Sequence, residues 1–276
     1  MLNLLKTDLK RIFKDKLFLI VCLIGVGLSI FTTGLFAGME GLIEETLENE
    51  IFVFSFDSKS LTFNAFSPLN DFGLILPIFI AIIIYKDFSY GTIRNKIISG
   101  NSRMNIYLSI LLSTIITISI CILGYSLLTF GFSSIFFDYS QVISFGEDFL
   151  YFISSLFFAV LCYTFIAVLI SFACIIFNNV GIAIVAYFGV AFICTILFSI
   201  IGVGINALSS EAGNEVVVSI LETINYLNVF NLLGSVIGKG TVYELKEVLF
   251  IILSVIFYNS LIISLGIVLF NKKDLK

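Results

Sequence analysis

The sequence of 276 residues contains no histidine, and this absence is the most informative feature of its composition. Ser-His-Asp and Cys-His catalysis, HExxH zinc sites and histidine proton relays all need an imidazole, so the sequence excludes them. The five cysteines form no CxxC pair and fall in apolar stretches, which favours packing over disulfides or metal ligation. We therefore predict no metal and no resident cofactor.

Charged residues are also scarce. They make up 12% of the chain, against about 25% in a soluble domain, while 59% of the residues are hydrophobic. Five long stretches contain no Asp, Glu, Lys or Arg, and each exceeds the roughly 20 residues that a helix needs to cross a bilayer. Their apolar runs are continuous, which favours helices over the alternating strands of a barrel. The sequence predicts an all-α polytopic membrane protein with six transmembrane helices, at about 17–37, 66–85, 104–132, 149–177, 180–208 and 248–270.

The few basic residues are unevenly distributed over the predicted loops. If the amino terminus lies inside, the cytoplasmic pieces hold 12 of the 15 Lys and Arg and only 4 of the 19 acidic residues; these pieces are 1–16, 86–103, 178–179 and 271–276. Basic residues that flank transmembrane helices stay in the cytoplasm. The pattern predicts a multi-pass protein of the cell membrane with both termini in the cytoplasm.

The predicted spans lack the ionisable residues that proton- or sodium-coupled transporters place near the bilayer midplane. A P-loop is missing as well. Residues 234–240 resemble one, but only three residues separate Gly234 from Gly238, and Gly240 follows Lys239 where Ser or Thr is needed. We therefore predict that the chain is not an enzyme, and that any transport it carries out is driven by another protein.

The first 16 residues form a segment of their own, ahead of a transmembrane domain at 17–276. Apolar residues recur there at helical spacing among lysines, which predicts an amphipathic helix on the inner membrane surface; its key residues are Leu5, Leu9, Arg11, Ile12 and Phe13. Two readings stay open. The helix is a positive anchor that sets orientation, or it also contacts a cytoplasmic partner.

The predicted loop between spans two and three, residues 86–103, contains a second short amphipathic segment. Ile93, Ile97 and Ile98 are predicted to face the membrane, with Arg94 and Lys96 facing water. From its residues alone, this is a basic inner loop with a short helix.

The order of residues in this loop resembles that of the permease subunits of type-2 ABC exporters. In that family an acidic residue ends span two, Gly-Thr follows four positions later, and a short helix and a Ser-Arg pair precede span three. The matching positions are Asp87, Gly91, Thr92, Ser102 and Arg103. The family usually has Glu where this chain has Asp87, and often a Lys soon after the Ser-Arg pair, which residues 104–112 lack.

The layout of the whole chain is similar to that family too. It has the amphipathic amino-terminal helix, the six spans, the almost absent loop at Asn178 and Asn179, and apolar residues at helical spacing in the last outer loop. The resemblance implies a coupling helix that seats on a separate ABC-type ATPase, which would use ATP and Mg. The coupling residues it implies are Asp87, Tyr90, Gly91, Thr92, Arg94, Asn95, Ser102 and Arg103.

The resemblance also implies a permease dimer, of identical or different copies, with the substrate path between them and span one with span five or two as its wall. The short outer loops favour a hydrophobic or amphipathic peptide, a drug or a lipid-like molecule as cargo, and the lipid bilayer is the other expected partner. No nucleic-acid partner is expected. The alternative is a non-transporting membrane protein, an immunity or scaffold subunit that binds a toxin or a signalling partner.

Overall fold

The computed structural model describes residues 1–46, 58–68, 71–136, 147–177, 179–209, 215–227 and 245–273. Within these ranges the chain is helical and has no strand. The P-loop-like segment 234–240 and Asn178 lie outside the described residues. The helices are α1 (Leu2–Lys14), α2 (Lys16–Thr46), α3 (Ser58–Asn64), α4 (Asp71–Ser89), α5 (Thr92–Ile98), α6 (Arg103–Phe136), α7 (Glu147–Ile176), α8 (Val180–Ser209), α9 (Glu215–Leu227) and α10 (Leu245–Lys272).

Six helices of the described chain are long and apolar enough to cross a membrane: α2, α4, α6, α7, α8 and α10. Their apolar parts are Lys16–Met39, Asp71–Ser89, Arg103–Phe136, Phe152–Ile176, Val180–Ala207 and Val248–Lys272. The prediction of a multi-pass helical membrane protein is confirmed. The predicted helices at the amino terminus and between spans two and three also exist, as α1 and α5.

The prediction was wrong about where the second span begins. Helix α4 starts at Asp71 rather than at 66, because Pro68 lacks an N–H and disfavours helical geometry in the residue before it. The preceding turn packs onto the core instead. The Tyr163 hydroxyl donates to the Ser67 carbonyl oxygen at 3.4 Å. A Cβ on Gly73 would lie 2.6 Å from that same oxygen, so the close approach of turn and helix requires glycine.

The connection between α7 and α8 is as short as the sequence predicts. Helix α7 ends at Ile176 and α8 begins at Val180. The Asn179 side-chain oxygen accepts a hydrogen bond from the Gly181 N–H at 2.8 Å, which caps the start of α8.

Helices α4, α6 and α7 form the centre of the bundle. More than half of each one's apolar window is buried, against 6% for α8. Helix α10 packs along α7, α2 along α6, and α8 against α7 and α4 with α9 beside it. Helix α8 therefore presents most of its apolar surface outward. The largest fully buried side chains are Phe66, Leu76, Ile80, Ile84, Ile93, Ile106, Ile118, Ile122, Ile166, Ile170 and Phe270.

Both ends of the described chain lie at the same end of the bundle. Asp8 of α1 contacts Lys96 of α5, and Arg103 contacts the carbonyl group of Asn271 in the last turn of α10. This end, which we call the basic end, holds α1, α5 and the adjoining ends of α2, α4, α6, α7 and α10. It also carries nearly all of the side chains that the resemblance singled out.

Candidate functional site

Helix α1 turns a mixed face toward the bundle. Asp8 and Ile12 are buried four residues apart, and Arg11 and Asp15 extend the same face. The apolar residues predicted for this helix differ in burial: Leu5 and Leu9 are half-buried, and Phe13 is exposed. Acidic and basic side chains on the inward face imply that α1 is held by charge as well as by apolar packing.

Asp8 is the centre of this face, with only 1% of its surface exposed. One carboxylate oxygen accepts from Lys96 Nζ of α5 at 2.6 Å, and the other accepts from Ser109 Oγ of α6 at 2.8 Å. Arg11 lies 3.8 Å from the first of these oxygens. A buried carboxylate is tolerated when it is paired and hydrogen-bonded, so this one carboxylate joins three helices.

Asp87 is the second buried carboxylate, at the end of α4, and is also 1% exposed. It forms an ion pair with the Arg11 guanidinium of α1. The Thr92 hydroxyl lies 3.0 Å from the same carboxylate oxygen and 2.9 Å from the Asp87 carbonyl oxygen. Asp87 thus connects the end of α4 to α1 on one side and to the first residue of α5 on the other.

Helix α5 is bracketed by two glycines in the left-handed region, Gly91 at φ 65° and Gly100 at φ 87°. Gly91 is the N-cap residue and allows the sharp turn from α4 into α5. After the helix, the Asn101 side-chain amide donates to the Lys96 carbonyl oxygen at 3.1 Å. The two glycines allow the chain to turn into and out of α5, and the Asn101 hydrogen bond closes the turn after it.

A further ion pair ties α4 to the turn between α1 and α2. Lys86 Nζ lies 2.7 Å from Asp15 Oδ2, and the other Asp15 oxygen accepts from the Leu17 N–H at 3.0 Å. Burial acts to raise the pKa of Asp15, but the hydrogen bonds from Lys86 and Leu17 outweigh it, so the pKa lies below its usual value. This carboxylate caps the start of α2 while bound to α4.

The structure separates the predicted coupling residues into three groups. Asp87 is buried at the end of α4, and the partly exposed Gly91 and Thr92 join it to the start of α5. Tyr90, Arg94 and Asn95 are exposed at its outer surface. Ser102 caps α6 through the Asn105 N–H at 3.3 Å, and Arg103 turns inward to the end of α10.

One predicted orientation was wrong. Lys96 was expected to face water, but its side chain is only 12% exposed because it reaches Asp8. Of the three isoleucines expected to face the membrane, Ile93 is buried, Ile97 packs against the core and Ile98 is 74% exposed. The short helix therefore buries one apolar edge and one cation, and presents Tyr90 and Ile98 outward.

Five polar side chains at the basic end were not predicted to bond there: Asp8, Asp15, Lys86, Lys96 and Ser109. The sequence did contain a signal for two of them, Asp8 and Asp15. Asp8, Arg11 and Asp15 share one face of α1 by spacing alone, and acids on the inward face of a basic helix need cations nearby. The identity of those cations could not be read from local spacing, since Lys96 lies 88 residues away along the chain.

The described residues contain no group of three or more His, Cys, Asp or Glu side chains that could hold a metal ion. Searches with the chain found no matching protein-family model and no matching curated protein.

Proposed function

We propose that this chain is the membrane-spanning permease subunit of an ATP-driven exporter of the type-2 ABC kind. One observation carries the proposal: helix α5 combines an exposed outer surface with a buried, ion-paired root. Its outer surface carries Arg94 and Ile98, 74% exposed, and Tyr90 in the turn before it is 72% exposed. Its root carries Ile93 and Lys96. A helix that receives force from another protein needs both parts.

The exposed part of α5 suits a protein partner. An aromatic and an aliphatic side chain beside a cation are common at the centre of protein interfaces, where apolar contact supplies binding energy and Arg supplies specificity. The partner in this proposal is a separate cytoplasmic ABC-type ATPase, which supplies the ATP and Mg chemistry. The excess of basic residues near the basic end supports its cytoplasmic position.

The buried root of α5 would carry the movement inward. Removing one partner of a buried ion pair costs about 3–5 kcal/mol, whereas exposed pairs contribute at most about 1 kcal/mol. The Asp8–Lys96 pair is almost fully buried on both sides, so α5 cannot shift far without α1 and the start of α6. A push on α5 therefore reaches α1, α4 and α6 together.

A second permease copy, identical or related, completes the proposed transporter. Helix α8 buries only 6% of its apolar window within the chain, and α2 buries 22%. The apolar surface that these helices leave exposed is available to contact lipid and a partner copy. We place the substrate path along α2 with α8 or α4, for a hydrophobic or amphipathic peptide, a drug or a lipid-like molecule.

The docking part of the proposal is tested by site-specific photo-cross-linking in the native host. A photoreactive phenylalanine analogue at position 98 is expected to capture a protein that hydrolyses ATP. The same analogue at position 216 is the matched control, because Val216 is similarly exposed but belongs to α9, which packs on α8 with Leu221 near Gly204. No cross-link to an ATP-hydrolysing protein from position 98 would contradict the proposal. So would full transport activity of the isolated chain in vesicles, and capture of a toxin or signalling protein would favour the immunity or scaffold role.

A further inference from the structure

Arg103 was expected to face the ATPase, yet its guanidinium turns into the protein and binds the end of α10. One terminal nitrogen, Nη1, lies 2.8 Å from the Asn271 carbonyl oxygen and 2.9 Å from that of Lys273. The Phe270 carbonyl oxygen is 3.4 Å away. The last carbonyls of a helix have no partner within the helix, and a cation there also interacts favourably with the helix dipole. Arg103 thus caps α10 from a different helix.

Four further contacts hold the same helix end. Lys273 Nζ donates to the Ile175 carbonyl oxygen near the end of α7 at 2.6 Å and lies 4.9 Å from the centre of the Phe88 ring of α4. Phe270 is buried between Phe88 and Tyr107, with ring centres 6.1 and 5.7 Å away. We call this set of contacts, with Arg103, the α10 clamp.

The clamp also depends on close helix packing. A Cβ placed on Gly266 of α10 would lie 2.5 Å from the Tyr107 hydroxyl oxygen of α6. Tyr107 in turn lies 3.3 Å from Ser171 Oγ of α7. The first turns of α6 and the last turns of α10 are therefore closely packed at Gly266 and Tyr107.

Only four residues separate α5 from Arg103, and they are themselves hydrogen-bonded. The Ser99 hydroxyl and the Asn101 amide both donate to the Lys96 carbonyl oxygen, at 2.8 and 3.1 Å. A displacement of α5 is thus passed along a short, ordered segment to the guanidinium that caps α10.

We infer that Arg103 is a positioning residue that makes the end of span six follow helix α5, and that it is not a contact of the ATPase. This inference rests on the proposed function for the source of the movement. The cap itself is a property of the chain alone, and it can be measured without a partner.

Hydrogen exchange in lipid nanodiscs tests the cap on the chain alone. Arg103→Gln is expected to speed amide exchange in the last turns of α10 about 5- to 10-fold, because the capping charge is lost. Arg103→Lys should restore part of the protection, since an ammonium keeps the charge but not the planar fork. Arg94→Gln, an exposed change on α5, is the matched control and should leave this exchange unchanged. Unchanged exchange in Arg103→Gln would overturn the positioning role.

The second measurement is docking and turnover with the captured ATPase. Arg103→Gln should keep the docking Kd within about twofold and lower transport per ATP hydrolysed, whereas Arg94→Gln should weaken docking, as expected for a single interface side chain. Equal losses of docking in both variants would overturn the inference and leave the proposed function standing. Failure of the unmodified chain to dock any ATPase would refute the proposed function, while the exchange result would still decide whether Arg103 caps α10.

Discussion

The basic end and the membrane-spanning interior both bury polar side chains, but they bond them differently. Inside the spans most buried hydroxyls donate to their own helix, as Thr117 does to Ser113 O at 2.8 Å. The bonds that cross between helices there are long, 3.3 Å for Ser29 with Thr129 and for Asn259 with Thr164. At the basic end the bonds between helices involve a charged side chain and are short, 2.6 and 2.8 Å for Lys96 and Ser109 with Asp8 and 2.8 Å for Arg103 with the Asn271 carbonyl oxygen.

The difference has a mechanical consequence. A hydroxyl that bonds its own backbone leaves its helix able to slide against its neighbours, and interhelical hydrogen bonds in membranes average only about 0.6 kcal/mol. A buried ion pair between helices resists separation because each charge would be left unpaired. The helices of the basic end are therefore held together more strongly by their polar contacts than the spans are by theirs.

The largest effect on stability is expected from Asp8→Ala at the basic end. It leaves Lys96 buried without its carboxylate, and we expect a loss of about 3–5 kcal/mol in stability. The measurement is thermal unfolding in detergent. The double variant Asp8→Ala with Lys96→Met removes both charges and should recover most of the loss.

The matched change in the spans is Thr129→Val, which removes the hydroxyl that faces Ser29. We expect a loss of about 0.6 kcal/mol. Equal losses from Asp8→Ala and Thr129→Val would remove the distinction between the two regions.

A second test concerns the turn that sets α5 in place. Gly91→Ala puts a side chain at φ 65°, which should cost about 1–2 kcal/mol and loosen α5. Gly124→Ala in α6 is the control, because that glycine is helical and a Cβ there meets nothing within 4 Å. The control should gain up to about 1 kcal/mol. The same unfolding assay reports both, and a neutral Gly91→Ala would show that the turn tolerates another backbone conformation.

The smallest effect is expected from the pH dependence of the Asp15–Lys86 pair. The pKa of Asp15 is lowered in the folded chain, so the pair stabilises the fold at pH values above the unfolded pKa of about 3.9, and this is lost as the pH falls through the lower folded value. Lys86→Gln should therefore reduce stability by up to about 1 kcal/mol at pH 6 and have less effect near pH 3. Unfolding curves of both proteins across this range measure it. A constant difference at all pH values would assign the effect to packing of the lysine stem.

Much of the fold was predictable because the solvent imposes it. Charge-free runs of more than 20 residues predict helices without any partner, since a bilayer leaves backbone groups no other way to be bonded. The second span was predicted to begin at 66 because only hydropathy was considered. Pro68 and the close approach of the preceding turn to Gly73 decide instead that α4 begins at Asp71. Much less of the candidate site was predictable. Asp87 and Thr92 were predicted because the order of residues in the loop 86–103 resembles that of the exporter permeases. Asp8 was not predicted, because it is one acidic residue among the lysines of the amino-terminal helix.

The sequence by itself determined that this chain is a bundle of six apolar helices with its basic residues gathered in the segments flanking a few of them, because hydropathy and charge act residue by residue. Only the tertiary structure decided which charges meet. Lys96 binds Asp8 instead of facing water, and Arg103 binds the end of α10 instead of facing outward. These partners lie 88 and 168 residues away along the chain, so they become neighbours only once the helices have packed.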